Sequence, residues 1–284
     1  MGCQYAAFLL VSCCSFFSST SLSQEYRWNL PPGFPVPLVP ADNSMSEAKI
    51  ELGRRLFFDT QLSVDNSYSC ASCHKPDLAF TDGLTQAKGV HGDLHDRNTM
   101  SLTNVAYNSV FGWASRETDS LEKQALVPMF NQTPKELGLS LPIDRVIDRF
   151  QSDSDYDHLF QQSFVDDENP ISLQNIAKAI ATFERTLISG NSAYDRYVFF
   201  DDEHTLNEDQ KAGMKLFFSA RLACSECHGG FNFSSSSVFA GVKERPLEFH
   251  DNGVHLEYAG AEKGLFNETK ELEGIGQFRA PTLR

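Results

Sequence analysis

Two five-residue motifs constrain this chain more than anything else in it. Cys70-Ala71-Ser72-Cys73-His74 and Cys224-Ser225-Glu226-Cys227-His228 both read Cys-x-x-Cys-His. The chain has seven cysteines, and the other three are Cys3, Cys13 and Cys14 near its start. Cys-x-x-Cys-His is the attachment sequence of c-type haem. Its two thiols add to the two vinyl groups, and two intervening residues let one backbone turn span them. The adjacent imidazole then reaches the iron from the proximal side. The pattern predicts two covalent c-type haems, one on Cys70 and Cys73 and one on Cys224 and Cys227. His74 and His228 are the expected iron ligands. A zinc site would need two pairs 154 residues apart to converge, with both trailing histidines a coincidence. A thioredoxin-like pair would need a βαβ setting, and the sequence has no run of alternating strands.

Residues 1–23 read as a signal peptide. The apolar stretch from Ala6 to Phe17 is short and Ser-rich for a membrane span, and Ser21-Leu22-Ser23 offers small residues for cleavage before Gln24. Leu10-Val11-Ser12-Cys13 offers the alternative of a bacterial lipobox, with a lipid anchor on Cys13. Either way the expected location is the periplasm. An exported chain with no further cysteine is not a disulfide scaffold. Removing 23 residues of 284 leaves 261, enough for one large or two ordinary domains with a buried core. Hydrophobic residues at 41% and charged residues at 22% indicate a globular chain. A net charge of −14 repels phosphate backbones, which argues against nucleic acid and favours a basic protein partner.

Residues 24–45 hold five of the twelve prolines and form an extended arm. A helix starts near Ser44, where Glu47 lies at capping-box spacing. An internal repeat follows. GRRLFF (Gly53–Phe58) precedes the first motif and GMKLFF (Gly213–Phe218) the second, with Phe80, and Phe231 and Phe233, downstream of the respective histidines. A duplicated helix, haem motif and aromatic unit argues for two similar modules. Further helices are expected after Asp119 and Ser120, after Leu141-Pro142, from Ser172 to near Gly190, and from Asn207 with Gln210 three residues later. The class is mainly α with long loops, split into an N-terminal module over 24–200 and a C-terminal one over 201–284. Outside the motifs, His91 and His95 in GVHGDLHDRN lie close enough in sequence to reach the far face of the first haem.

In order, ELGRRLFFDTQLS, SCASCH, FTDG, DRNTMSLTNVAYN, QALVPMF, IAKAIATFERTLISG, YDRY, LFFSARLACSECHGGFNF and QFRAPTLR resemble bacterial di-haem cytochrome c peroxidases and the related MauG-type protein oxidases. The resemblance runs from about Trp28 to Arg284. The YRWNLPPGFP arm and the VAYN…W segment are similar to the branch that includes the methanobactin-associated di-haem enzyme. The resemblance implies two cytochrome c-like domains, with the active site on the first haem and a second haem that collects electrons. It implies Trp113 between the haems, Glu136 as the distal acid that assists O–O cleavage, His95 as the distal-loop histidine, and Asn98 on a calcium ion between the domains. His250 in EFHDNG resembles a segment near the second haem. Two departures stand out. The peroxidases' WDGR reads WASR here (Trp113–Arg116), which leans towards protein oxidation. The chain also stops at APTLR where the family continues into further calcium ligands and a distal ligand for the second haem, so the second module is expected to be incomplete.

Three functions follow as expectations. The first is peroxide reduction with electrons from a small cytochrome c or cupredoxin. The second is MauG-like oxidation of a residue, such as a tryptophan, on a partner protein. The third is a non-catalytic electron relay, which requires both haems to be closed on both faces. A homodimer is a candidate assembly.

Overall fold

A computed structural model describes residues 26–251 and 253–284. The signal segment, its cleavage site and Cys13 lie outside the described residues. The described residues form ten α-helices: α1 (Glu47–Phe58), α2 (Cys70–Cys73), α3 (Leu121–Phe130), α4 (Asp144–Gln151), α5 (Ser154–Ser163), α6 (Leu173–Glu184), α7 (Ala193–Phe199), α8 (Glu208–Phe217), α9 (Cys224–Cys227) and α10 (Phe266–Thr269). Loops and short 3-10 turns join them, and β-structure is limited to isolated bridges. The chain is mainly α, as its periodicity indicates.

Helix α6 is the central element. Nine of its twelve residues are buried, so it takes neighbours on several sides. It starts where Ser172 Oγ accepts from Asn175 N at 3.2 Å. It ends at Glu184, short of the expected stop near Gly190. Asn104 is the reason. Its backbone N–H donates to Leu187 O at 2.8 Å, its side-chain amide donates to Ser189 O at 3.0 Å, and its Oδ1 accepts from Ser189 N at 2.7 Å. These bonds draw the chain out of the helix. Gly190 is needed for packing: a Cβ there would lie 2.6 Å from Pro31. Pro31 belongs to the proline arm, whose Phe34 is buried against the rings of Tyr107 and Phe231.

Helix α1 crosses α6 at close range. Its N-cap is Ser46, two residues later than the expected Ser44, with Ser46 Oγ accepting from Lys49 N at 3.2 Å. Leu52, Leu56 and Phe57 are fully buried. Gly53, first residue of GRRLFF, lies against α6, where a Cβ would meet Ala179 O at 1.9 Å. The second copy differs. Gly213 has open space around it, and none of the residues of α8 is buried. Leu216, Phe218 and Leu222 beside the second motif are about half exposed.

This contrast predicts opposite responses to one substitution. Gly53→Ala must force α1 away from α6, at a cost of about 2 kcal/mol or more, whereas Gly213→Ala removes a helix-interior glycine and stabilises by up to about 1 kcal/mol. Thermal melts of both variants check this: the first should lower Tm and the second should not.

Candidate haem sites

Each Cys-x-x-Cys forms one short helical turn. His74 N donates to Cys70 O at 2.9 Å and His228 N to Cys224 O at 3.0 Å, which closes each turn onto its histidine. Ser69 and Ser72 cap the first turn reciprocally. His74 Nδ1 lies 2.8 Å from Phe80 O, and His228 Nδ1 lies 3.2 Å from Phe233 O and 3.1 Å from Pro281 O. A carbonyl can only accept, so Nδ1 carries the proton in both rings and Nε2 keeps its lone pair for a metal.

The two phenylalanines whose carbonyls accept these bonds share an uncommon backbone. Phe80 has φ 57° and Phe233 φ 50°, the left-handed region. That conformation costs roughly 1–2 kcal/mol per non-glycine residue and needs support. Phe80 packs on Phe57, the first phenylalanine of GRRLFF, at 6.2 Å between ring centres. Phe233 packs on Phe217, the matching phenylalanine of GMKLFF, at 5.8 Å. The repeat is therefore one device built twice: the LFF helix clamps the phenylalanine whose carbonyl orients the histidine.

Beside His74 lies a cavity of about 170 Å³, lined by Cys73, His95, Trp113, Glu136 and Arg279 among others. A second, smaller one of about 40 Å³ adjoins Cys70, Cys73, His74, Glu136 and Glu184. Burial pushes the Cys70 and Cys73 thiols up, Cys73 to about 11, so both are uncharged at neutral pH. Two neutral thiols, an imidazole with a free Nε2 and an unfilled cavity fit a covalently attached haem. The second site is open to the surface. His250 stands near it, with Nε2 3.3 Å from Ser235 Oγ, and Ser235 N donates to Cys227 O at 2.8 Å.

The structure brings four of the expected site residues, His95, Asn98, Trp113 and Glu136, to the first cavity. His95 Nε2 lies 3.5 Å from Glu136 Oε1 and has no hydrogen-bond partner although it is buried. Glu136 sits in a loop and not on a helix, and burial raises its carboxyl pKa against the opposing effects of His95 and Asn131. Gly89 permits this pairing, since a Cβ there would lie 1.6 Å from Lys135 O. Val90 N then donates to Glu136 O at 2.8 Å. Trp113 is half-buried, its Nε1 donates to Asn98 O at 3.3 Å, and its own carbonyl accepts from Arg279 N at 2.9 Å. Asn98 is exposed, and its side-chain amide donates to Thr99 O at 3.3 Å. His91 is exposed and does not line the cavity.

Sequence reasoning missed two groups. Arg279 lines the larger space and Glu184 the smaller. An acid four residues after Ile180 on an apolar helix was the available signal for Glu184; Arg279 had none.

Burial pushes the Glu184 carboxyl up to about 8, with Arg185 opposing the shift and Glu122 adding to it. The folded chain thus keeps a proton that the unfolded chain releases near pH ~4.3. Stability should fall as pH rises from there to about 8 and then level off, a difference of at most roughly 5 kcal/mol. Glu184→Gln should abolish this slope, so that it melts above the parent near pH ~8 and with it near pH ~4.

Residues 47–203 match the family model described as di-haem cytochrome c peroxidase. The chain is 35% identical over 247 residues to the methylamine utilization protein MauG of Methylorubrum extorquens, covering 86% of this chain and 64% of that protein. It is 32% identical over 267 residues to MauG of Methylophilus methylotrophus, covering 94% of this chain and 72% of that protein. It is 32% identical to the cytochrome c551 peroxidase of Pseudomonas aeruginosa, covering 84% of this chain and 65% of that protein. The chain thus spans about two thirds of the length of these relatives. Among solved structures, a MauG-like protein associated with microbial copper homeostasis superposes with a TM-score of 0.88 at 37% identity, covering 91% of this chain and 75% of that one. The diheme peroxidase of Burkholderia thailandensis shares the fold, with a TM-score of 0.65 at 19% identity over 91% of this chain and 72% of that one. No helix among the described residues is long and apolar enough to cross a membrane. On the motifs, the paired sites and these matches, the chain belongs to the di-haem cytochrome c peroxidase family, whose members carry two c-type haems.

Proposed function

We propose that the first site reduces hydrogen peroxide to water with electrons that enter at the second site from a small cytochrome c or cupredoxin, in the periplasm. In this reading Cys70, Cys73 and His74 hold one haem in a module reaching to about residue 200, and Cys224, Cys227 and His228 hold the other. The observation that carries it is the partly buried His95–Glu136 pair, 3.5 Å apart, in the same cavity as His74. When bound there, haem supplies the redox centre and an iron coordination position for peroxide.

The chain's own groups do the proton work. Splitting peroxide requires one oxygen to lose its proton and the other to gain it, so that water can leave. Glu136 Oε1 is suited to both halves, because burial raises its pKa towards the working pH and makes the carboxyl willing to hold a proton. His95 Nε2 faces the same oxygen at 3.5 Å. Each turnover consumes two electrons and two protons. Trp113 O accepts from Arg279 N, and two residues further on Pro281 O accepts from His228, so two hydrogen bonds and a short stretch of chain link the Trp113 backbone to the second site. Asn98, tied to Trp113, would take the calcium ion and hold this loop in place.

A second reading, MauG-like oxidation of a residue on a partner protein, is favoured by Ala114. It stands where the peroxidases have the acid of WDGR, and it packs against the apolar cluster of Val110, Phe249 and Leu265.

One experiment separates the readings. Haem-loaded protein is mixed with one equivalent of peroxide in the all-ferric state and again after one-electron reduction, and the Soret band is followed. The proposal predicts turnover with a reduced cytochrome only after reduction, and Glu136→Gln should lower it by about 10²-fold or more with haem content unchanged. A prompt, lasting change in the all-ferric protein would favour the second reading. Silence in both states would leave an electron relay.

A further inference from the structure

One buried cation at the first cavity has no counter-ion. Arg279 is 3% exposed. Its Nε donates to Gly112 O at 3.3 Å and Nη2 lies 3.9 Å from Met100 Sδ. Nη1 is buried and has no partner at all. Two other arginines with nearly inaccessible side chains, Arg185 and Arg284, also leave one nitrogen unpaired, yet each has a carboxylate: Glu122 at 2.8 Å and Asp195 at 2.7 Å. A buried charge left without compensation is strongly unfavourable unless something absent from the protein chain supplies it. Burial lowers the Arg279 pKa only to about 10, so the group is charged at neutral pH.

Of the other charged groups lining this cavity, Lys88 is exposed, and the rest face a charged partner. Arg97 pairs with Glu262 at 3.2 Å and lies over the Phe278 ring. His95 and Glu136 face each other. Cys73, His74 and Glu136 line both spaces; the larger also touches Arg279 and not Cys70, and the smaller also touches Cys70 and the buried Glu184, whose Oε2 is unpaired, and not Arg279. A haem has its thioether-forming vinyl groups on one side and two propionate carboxylates on another.

We infer that Arg279 is the counter-cation of a haem propionate at the first site and positions the macrocycle with its carboxylate edge away from Cys70 and Glu184. This rests on the reading that Cys70, Cys73 and His74 hold a haem. Nη1 then donates a charge-assisted hydrogen bond to the propionate. The guanidinium also opposes the propionate's negative charge, which would otherwise favour the ferric state.

The test uses haem-loaded full-length protein. Arg279→Gln removes the charge and keeps an amide for Gly112 O; Arg279→Met is a second neutral variant should the first fail to accumulate; Arg279→Lys restores the charge. Haem stoichiometry is read from the pyridine haemochrome and both midpoint potentials by redox titration. The expected result is two haems in each variant, a downward shift in the potential of one haem in the neutral variants, an unchanged second potential, and recovery in Arg279→Lys. A purely structural role would not restore the potential with charge. A neutral variant with two haems and unshifted potentials overturns the inference. Parent protein without haem on Cys70 and Cys73 overturns the site reading beneath it.

Discussion

His74 is held by the carbonyl of Phe80 and His228 by that of Phe233, at 2.8 and 3.2 Å, and both carbonyls are aimed by a phenylalanine in the left-handed region. Much else follows from keeping that bond. The imidazole must not rotate, because rotation would exchange which nitrogen faces a metal. The left-handed backbone must be clamped, which is the work of Phe57 and Phe217. The clamps in turn need helices that stay in place. In the first half this explains a glycine-mediated crossing of α1 on α6 and a buried Glu122–Arg185 pair at the end of α6. An unpaired guanidinium would be out of place in such a core, but Arg185 fills its site with the carboxylate at hand.

The two halves are unlike in how much they enclose. The first site is walled by α3, α6 and the loops carrying His95 and Glu136, and that enclosure is what raises the Glu136 pKa and leaves His95 Nε2 without a partner. The second site keeps the same turn, the same histidine bond and the same aromatic clamp, but its helix α8 buries none of its residues. Enclosure suits proton chemistry, which depends on shifted pKa values. Openness suits electron exchange with a partner at the surface. The segment from Arg279 to Pro281 touches both, bonding Trp113 on one side and His228 on the other.

Local features were the most legible in the sequence. The Cys-x-x-Cys-His turns, the caps at Ser120, Ser172 and Asn207, and the repeat of LFF all depend on residues within a few positions of one another. Features that depend on distant parts of the chain were not. Helix α7 is only seven residues long, too short for a periodic stripe. The end of α6 is set by Asn104, some eighty residues upstream. His95 meets Glu136 because Gly89 lets two loops approach, and no periodicity encodes that contact. Glu136 lies outside every helix, so no periodic pattern marks it as an acid in a cavity. Arg279 shows its significance only through the absence of a carboxylate beside it.

The central claim is that each Cys-x-x-Cys-His turn is built to carry one covalent haem. It is tested most directly by the intact mass of the protein made in cells equipped for haem attachment. The account predicts a chain heavier than its polypeptide by two haems, falling to one when Cys70 and Cys73 or Cys224 and Cys227 are replaced by alanine. A chain of unmodified mass, or one whose four thiols hold zinc, would contradict it.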